Sequence, residues 1–175
     1  MAPPQETDTF VRLAKAGDVA AFERLVALHY PFILKTAFRW LGHRSDAEDV
    51  TQSVCMRLAT ILPGFDGRAS FTSWLYRVTL NAVRDFQRSQ QRRRQMASRV
   101  ALIAPEKMEP DQENRMRVED IWRRVRELPE KQRDAVLLVY GEHLSHAEAA
   151  RIMQCKEVTV SWHIHKARKS LRDLL

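Results

Sequence analysis

Apolar residues in this chain recur mainly at three- and four-residue intervals, the period of an amphipathic helix rather than the alternation of a strand. In "DVAAFERLVALHYPFILKTAFRWLG", Phe22, Leu25, Val26 and His29 fall on one face. Pro31 is expected to kink or restart that helix, because it has no N–H to donate, and Gly42 to end it. Ser45, followed by Asp46, Glu48 and Asp49, predicts a capping box at the start of the next helix. Along it Val50, Val54, Leu58 and Ile61 form a core stripe, with Asp49, Gln52 and Met56 roughly opposite and open to a partner. "LPGFDGRAS" breaks the period, and Ser70 caps a further helix through Trp74, Leu75, Val78 and Val83.

The pattern then lapses. "RDFQRSQQRRRQ" is polar and strongly basic, and "ALIAPEKMEPDQEN" adds two prolines and several acids. Residues 96–112 therefore read as a flexible linker between a block spanning 1–95, helical from about Asp8, and a second helical block at 113–175. Five glycines in 175 residues leave little turn chemistry for hairpins. The expected fold is all-α: two small helical domains joined by a tether.

Charge and cysteine usage narrow the function. A net charge of +7 calls for an acidic partner, nucleic acid or an anionic surface. No apolar run approaches the roughly 20 residues of a spanning helix. "MAPPQETDTF" has neither the basic start nor the apolar core of a secretory signal, so a cytoplasmic protein with no membrane insertion is expected. Cys55 and Cys155 have no CxxC neighbours and are expected to be packed thiols.

"VTVSWHIHKARKSL", residues 158–171, carries two histidines beside a tryptophan and three cations. As one helix over 157–174 it buries Val160, Ile164, Ala167, Leu171 and Leu174. His163 and His165 then point roughly 200° apart and cannot share a metal, so no cofactor is expected. Thr159, Ser161, Trp162, His165, Lys166, Arg168, Lys169 and Arg172 form the polar side. Upstream, Ser145 and Glu148 make a capping box, and Ala149, Ile152 and Met153 pack inward. A short helix, a tight turn and a longer helix with a basic outer side is a helix-turn-helix. An αα-hairpin with a solvated basic face is the plainer reading, and the net charge favours DNA.

These residues resemble a known family. "LPEKQRDAVLLVYGEHLSHAEAARIMQCKEVTVSWHIHKARKSLRDLL" is similar to region 4 of an extracytoplasmic-function (ECF) sigma factor, of the sigma-70 family. Leu128-Pro129, Gln132-Arg133, Leu144-Ser145, Glu148-Ala149, Thr159-Val160 and Ala167-Arg168 carry the likeness. "DAEDVTQ" and "FDGRASFTSWLYRVTLNAVRDFQRSQQRR" resemble region 2. The resemblance implies an alternative sigma factor that binds core RNA polymerase, selects promoters by their −35 and −10 elements and assists melting. It implies an anti-sigma factor as a further partner. Core contacts would come from the helix holding Asp46, Asp49, Gln52 and Met56 on the β′ clamp helices, and from Val136, Leu137 and Tyr140 on the β flap.

Single strands are held by stacking on aromatic rings and by cations along the backbone. Phe65, Phe71 and Trp74 with Arg68, Arg77, Arg84 and Arg88 supply that mixture for the −10 element, and Asn81, at the family's asparagine position, would read a base edge. Phe71 and Trp74 serve equally well as core residues. In region 4, Thr159, Ser161, Trp162, His163, Lys166 and Arg168 would face the −35 major groove. Relatives often carry Lys-Ser-Arg where this chain has Ser161-Trp162-His163, so a different −35 preference is expected. Ser53 and Cys55 also replace an acid and an aromatic common in region 2. A stand-alone helix-turn-helix regulator is the alternative, but the N-terminal block resembles a second nucleic-acid module rather than a sensor. No nucleophile–base set, carboxylate cluster or phosphate loop suggests an enzyme or a small-molecule substrate.

Overall fold

A computed structural model describes residues 4–97 and 113–172, all of it helix and connecting turns. Four helices build the N-terminal block: α1 (Pro4–Lys15), α2 (Val19–Leu41), α3 (Arg44–Ile61) and α4 (Phe71–Ala97). The C-terminal block comprises α5 (Glu113–Glu127), α6 (Glu130–Val136), α7 (His146–Met153) and α8 (Glu157–Arg172). The linker expected at 96–112 lies, from residue 98 onward, outside the described residues, as does Leu174.

The stripes foreseen from periodicity face the core, with Phe22, Val26, Ile61, Trp74 and Val78 only partly buried against it. Leu25 and His29 of α2, and Val50, Val54 and Leu58 of α3, face inward with Leu75 and Val83 of α4. Gly42 ends α2 with φ 78°, and its N–H bonds to the Phe38 carbonyl. The restart allowed for at Pro31 does not occur, and the cap expected at Ser45 is not made. Helix α2 runs through Pro31 without restarting. The proline lies on the exposed side, while Leu25, Ile33, Ala37 and Trp40 are buried along one continuous face. A proline inside a helix costs about 3 kcal/mol, whereas burying four such side chains returns about 1.5–3 kcal/mol for each large one. The tertiary contacts win. Ser45 caps nothing: α3 begins a residue earlier, at Arg44, with His43 as its uncapped N-cap. The carboxylate of Glu48 pairs instead with the Arg44 guanidinium, at 2.8 Å on the exposed side of the helix.

His29 shows how α1 is tied down. Its Nε2 lies 3.3 Å from Thr7 Oγ1, and its ring stands edge-on to Phe71 at 5.0 Å. Burial holds its pKa below the ordinary imidazole value. Protonation therefore favours the unfolded chain: this contribution to stability is complete above the free value of 6.5 and lost as pH falls below it. Urea unfolding at about pH 7.5 and about pH 5.5 should show a drop of at most about 1.4 kcal/mol per pH unit from this group. His29→Gln is expected to flatten that slope; an unchanged slope would assign it elsewhere.

In the C-terminal block α6 widens into a π-helical turn, Leu137–Gly141, before the chain reverses. Ser145 caps α7 in the expected box, its hydroxyl accepting from Glu148 N while the Glu148 carboxylate accepts from Ser145 N. Those hydrogen bonds, side chain first, lower the Glu148 pKa. Gln154 ends α7 in the left-handed region, φ 53°, and swings the chain into α8.

Candidate nucleic-acid and polymerase interfaces

Helix α8 is divided as its sequence indicates. Val160, Ile164 and Ala167 are buried against α6 and α7, whereas Ser161, Trp162, His165, Lys166 and Arg168 are exposed. Trp162 is 53% exposed, unusually high for so large an apolar ring. Lys166 Nζ sits 5.6 Å from its centroid, and His163 packs against it edge-on at 4.9 Å. His146 Nδ1 lies 2.9 Å from Ser161 Oγ, tying α7 to the start of α8. Burial, with the charge of Lys131 behind it, lowers the His163 pKa, so this imidazole is neutral at physiological pH and offers one donor and one acceptor. The two histidines diverge as expected: His163 is half-buried and His165 exposed. Among the described residues no group of three or more His, Cys, Asp and Glu is placed to hold a metal.

On α4, Trp74, Arg77, Asn81, Arg84 and Arg88 follow one another at i, i+3, i+7, i+10 and i+14, a single helical face. Asn81 accepts a 3.2 Å hydrogen bond from Arg84 Nη1. The loop before α4 is more closed than its sequence suggests. Phe65 and Phe71 are both buried and form an aromatic cluster with Trp74, all three ring pairs lying between 5.3 and 5.6 Å. Lys15 Nζ donates to the Phe65 carbonyl at 2.6 Å. Arg68 is exposed and leans on Asp66 at 3.3 Å.

Helix α3 presents Asp49, Gln52 and Met56 to solvent, Met56 at 72% exposure, with Asp46 half-buried near its start. In the C-terminal block Val136 and Leu137 are buried and only Tyr140 is exposed. The Tyr140 hydroxyl accepts from Arg168, whose guanidinium also lies over the ring at 5.7 Å. The apolar period marked these positions but could not separate those facing the chain's own core from those left exposed.

A polar network joining the two blocks escaped the sequence reading. Asp134 of α6, fully buried, accepts from Trp40 Nε1 at 2.8 Å and pairs with Arg84. Glu130 reaches Arg84 Nε at 3.0 Å. Glu142 receives Tyr76 Oη at 3.1 Å and pairs with Arg39 at 3.1 Å and Lys35 at 3.5 Å. Burial, then the Glu142 carboxylate, raises the Tyr76 pKa, so the phenol stays a donor. No local pattern announces such pairs; the one available signal was acids inside an otherwise basic helical block. Between α4 and α7 the blocks enclose a cleft of about 270 Å³ lined by Trp74, Arg77, Asn81, Arg84, Lys131 and Met153 among others.

A helix-turn-helix module together with a second module bearing a cationic, aromatic helix face is the layout of a sigma-70-type transcription protein. Residues 25–93 match the model of Sigma-70 region 2, and residues 119–171 that of Sigma-70, region 4. The ECF RNA polymerase sigma-E factor of Escherichia coli K12 is 31% identical, covering 95% of this chain and 93% of its own. SigW of Bacillus subtilis is 27% identical, with 94% of each chain covered. The chain belongs to the ECF sigma factors of the sigma-70 family. Its fold is similar to two solved structures. One is the sigma factor RpoE in complex with the anti-sigma factor NepR from Bartonella quintana, with TM-score 0.68 and 24% identity over 89% of this chain and 97% of that one. The other is CnrH in complex with the cytosolic domain of CnrY, with TM-score 0.67 and 24% identity over 97% and 96%. Among the described residues no helix is long and apolar enough to cross a membrane.

Proposed function

We propose that this chain, acting without catalytic chemistry of its own, recruits core RNA polymerase through α3 and the Tyr140 turn and selects promoters with α8 and α4. The observation that carries the reading is the division of α8: one face is locked into the core, and the other offers an exposed tryptophan, a serine and cations at the start of a recognition helix. Thr159, Ser161, Trp162, His163, Lys166 and Arg168 would meet the −35 element. Arg77, Asn81, Arg84 and Arg88, with Trp74 at their head, would hold the −10 strand. Phe65 and Phe71 would support that surface from within, and Arg68 would extend it. Asp46, Asp49, Gln52 and Met56 would contact polymerase. The similar structures are of sigma factors held by anti-sigma factors, which supports an anti-sigma partner here as well.

Run-off transcription with core polymerase tests the whole reading: promoter-dependent initiation is expected, and its absence together with operator binding by the free chain would favour a stand-alone regulator. A finer test addresses promoter choice. A neutral His163 and an apolar Trp162 suit a thymine methyl better than a guanine fork. Selection of bound promoter fragments should return a −35 motif unlike the family's usual one. Replacing Ser161, Trp162 and His163 by Lys, Ser and Arg should restore the usual motif, with about 1–3 kcal/mol of discrimination at each base read by a bidentate pair. Recovery of the usual motif by the unaltered protein would overturn this assignment.

A further inference from the structure

The serine at the start of the recognition helix has its only side-chain proton committed inside the protein. Ser161 is exposed, and its Oγ lies 3.3 Å from the Glu157 carbonyl, one turn back along α8. The same oxygen is 2.9 Å from Nδ1 of His146, which stands 15 positions upstream in the first turn of α7. A hydroxyl has one donor and two acceptor lone pairs. Where His146 Nδ1 bears a proton, it donates to Ser161, and the serine donates back along its helix to Glu157, a common habit of helical serines. Where the ring proton sits on Nε2, the bare Nδ1 accepts the serine proton instead. Both tautomers leave the same thing on the outer side of Ser161: a lone pair and no donor.

The partner imidazole is held by its surroundings. Ser145 caps α7 one residue before His146, and the Glu148 carboxylate closes the capping box. Ala149 of α7 and Val160 of α8 are both fully buried, so neither helix can roll without exposing apolar surface. In the major groove, adenine and cytosine present an exocyclic amino group, whereas guanine offers only the acceptors N7 and O6, and thymine the acceptor O4. We propose that Ser161 reads an amino base, adenine or cytosine, on the strand it faces, and that His146 is the positioning residue that keeps its hydroxyl an acceptor. The base class rests on the −35 reading of α8 given above and adds to it a residue from outside α8. Opposite a keto base, the serine oxygen meets a second acceptor with no proton between them, and two desolvated groups go unpaired.

The test uses the full-length chain assembled with core polymerase, with the helicity of each variant checked by circular dichroism. Affinity is measured on promoter fragments in which each −35 position is varied in turn to all four bases. Ser161→Ala is expected to flatten the base preference at one position and leave the others as they are. At that position the unaltered protein should prefer adenine or cytosine and bind guanine and thymine about fivefold or more weaker. His146→Ala frees the hydroxyl to turn its proton outward, so the preference there should largely disappear. His146→Asn, whose amide reaches the place of Nδ1, should restore it. A guanine or thymine preferred at the position that Ser161→Ala flattens would overturn the acceptor assignment. An unchanged profile in His146→Ala, or a uniform loss of affinity at every position, would overturn the positioning role and leave His146 a tie between helices. If Ser161→Ala flattens no position while Trp162→Ala or Lys166→Ala still shifts the −35 profile, the serine assignment falls and α8 stands as the reader. If none of the three shifts it, the −35 reading of α8 falls as well.

Discussion

Gln52→Ala combined with Met56→Glu is expected to abolish promoter-dependent transcription while leaving the fold intact. Both side chains lie on the exposed side of α3, opposite the buried Val50, Val54 and Leu58. Alanine and glutamate are both good helix formers, so the helix itself should tolerate the change. Met56, exposed on an otherwise polar face, has the character of an apolar anchor awaiting a pocket. Truncating or charging such an anchor typically costs about 2 kcal/mol or more of binding, roughly thirtyfold. The measurement is co-purification with core polymerase, followed by run-off transcription. Wild-type transcription by the double variant would remove this face of α3 from the polymerase contact.

Trp40 carries the second large effect. The ring is 1% exposed in the core of the N-terminal block while its N–H reaches across to Asp134. Trp40→Ala should lose about 3–5 kcal/mol in urea unfolding, from packing and cavity together. Trp40→Phe removes the donor and keeps much of the apolar volume, so the lost hydrogen bond is the larger part of its effect. A hydrogen bond to a charged group is worth about 1.5–3 kcal/mol, so a loss in that range is expected. No loss in Trp40→Phe would mean that Arg84 alone satisfies the buried carboxylate. The pair of variants thus separates what Trp40 does inside its own block from what it does between blocks.

How much of this was legible beforehand varied with the reach of each interaction. The Ser145–Glu148 cap and the Val160, Ile164 and Ala167 stripe lie within a few residues of one another, so periodicity and capping chemistry were enough to place α7 and α8. Pro31 left a restart open because its local penalty is visible in the sequence and the burial that keeps the helix continuous is not. Phe65 sits in a loop that sequence alone marks as open. Its ring partner Phe71 is close in the chain, but Lys15, which pins its carbonyl, is 50 residues away. The seam was the least legible feature of all: Asp134 and Trp40 are 94 positions apart, and an acid among basic residues ordinarily reads as solvated. The candidate surfaces of α8 and α3 were readable in outline, since an amphipathic helix declares its polar side. Val136 and Leu137 mark the limit of that method, because a long apolar run has no polar side to declare.

Two glycines lie where the blocks meet, a Cβ on Gly42 falling 2.7 Å from Arg126 Nε and one on Gly141 2.9 Å from Arg39 Nη1, and they carry an expectation about descent. Gly42 needs its left-handed backbone whatever lies opposite, so its persistence among related chains would say nothing about closure. No positive φ constrains Gly141. A methyl group there would press on the tip of Arg39 and dislodge it from Glu142 rather than break the fold. Lineages that keep glycine at this position together with arginine at 39 should be those whose two blocks still close on each other, and lineages that have drifted to alanine should have lost the pair jointly.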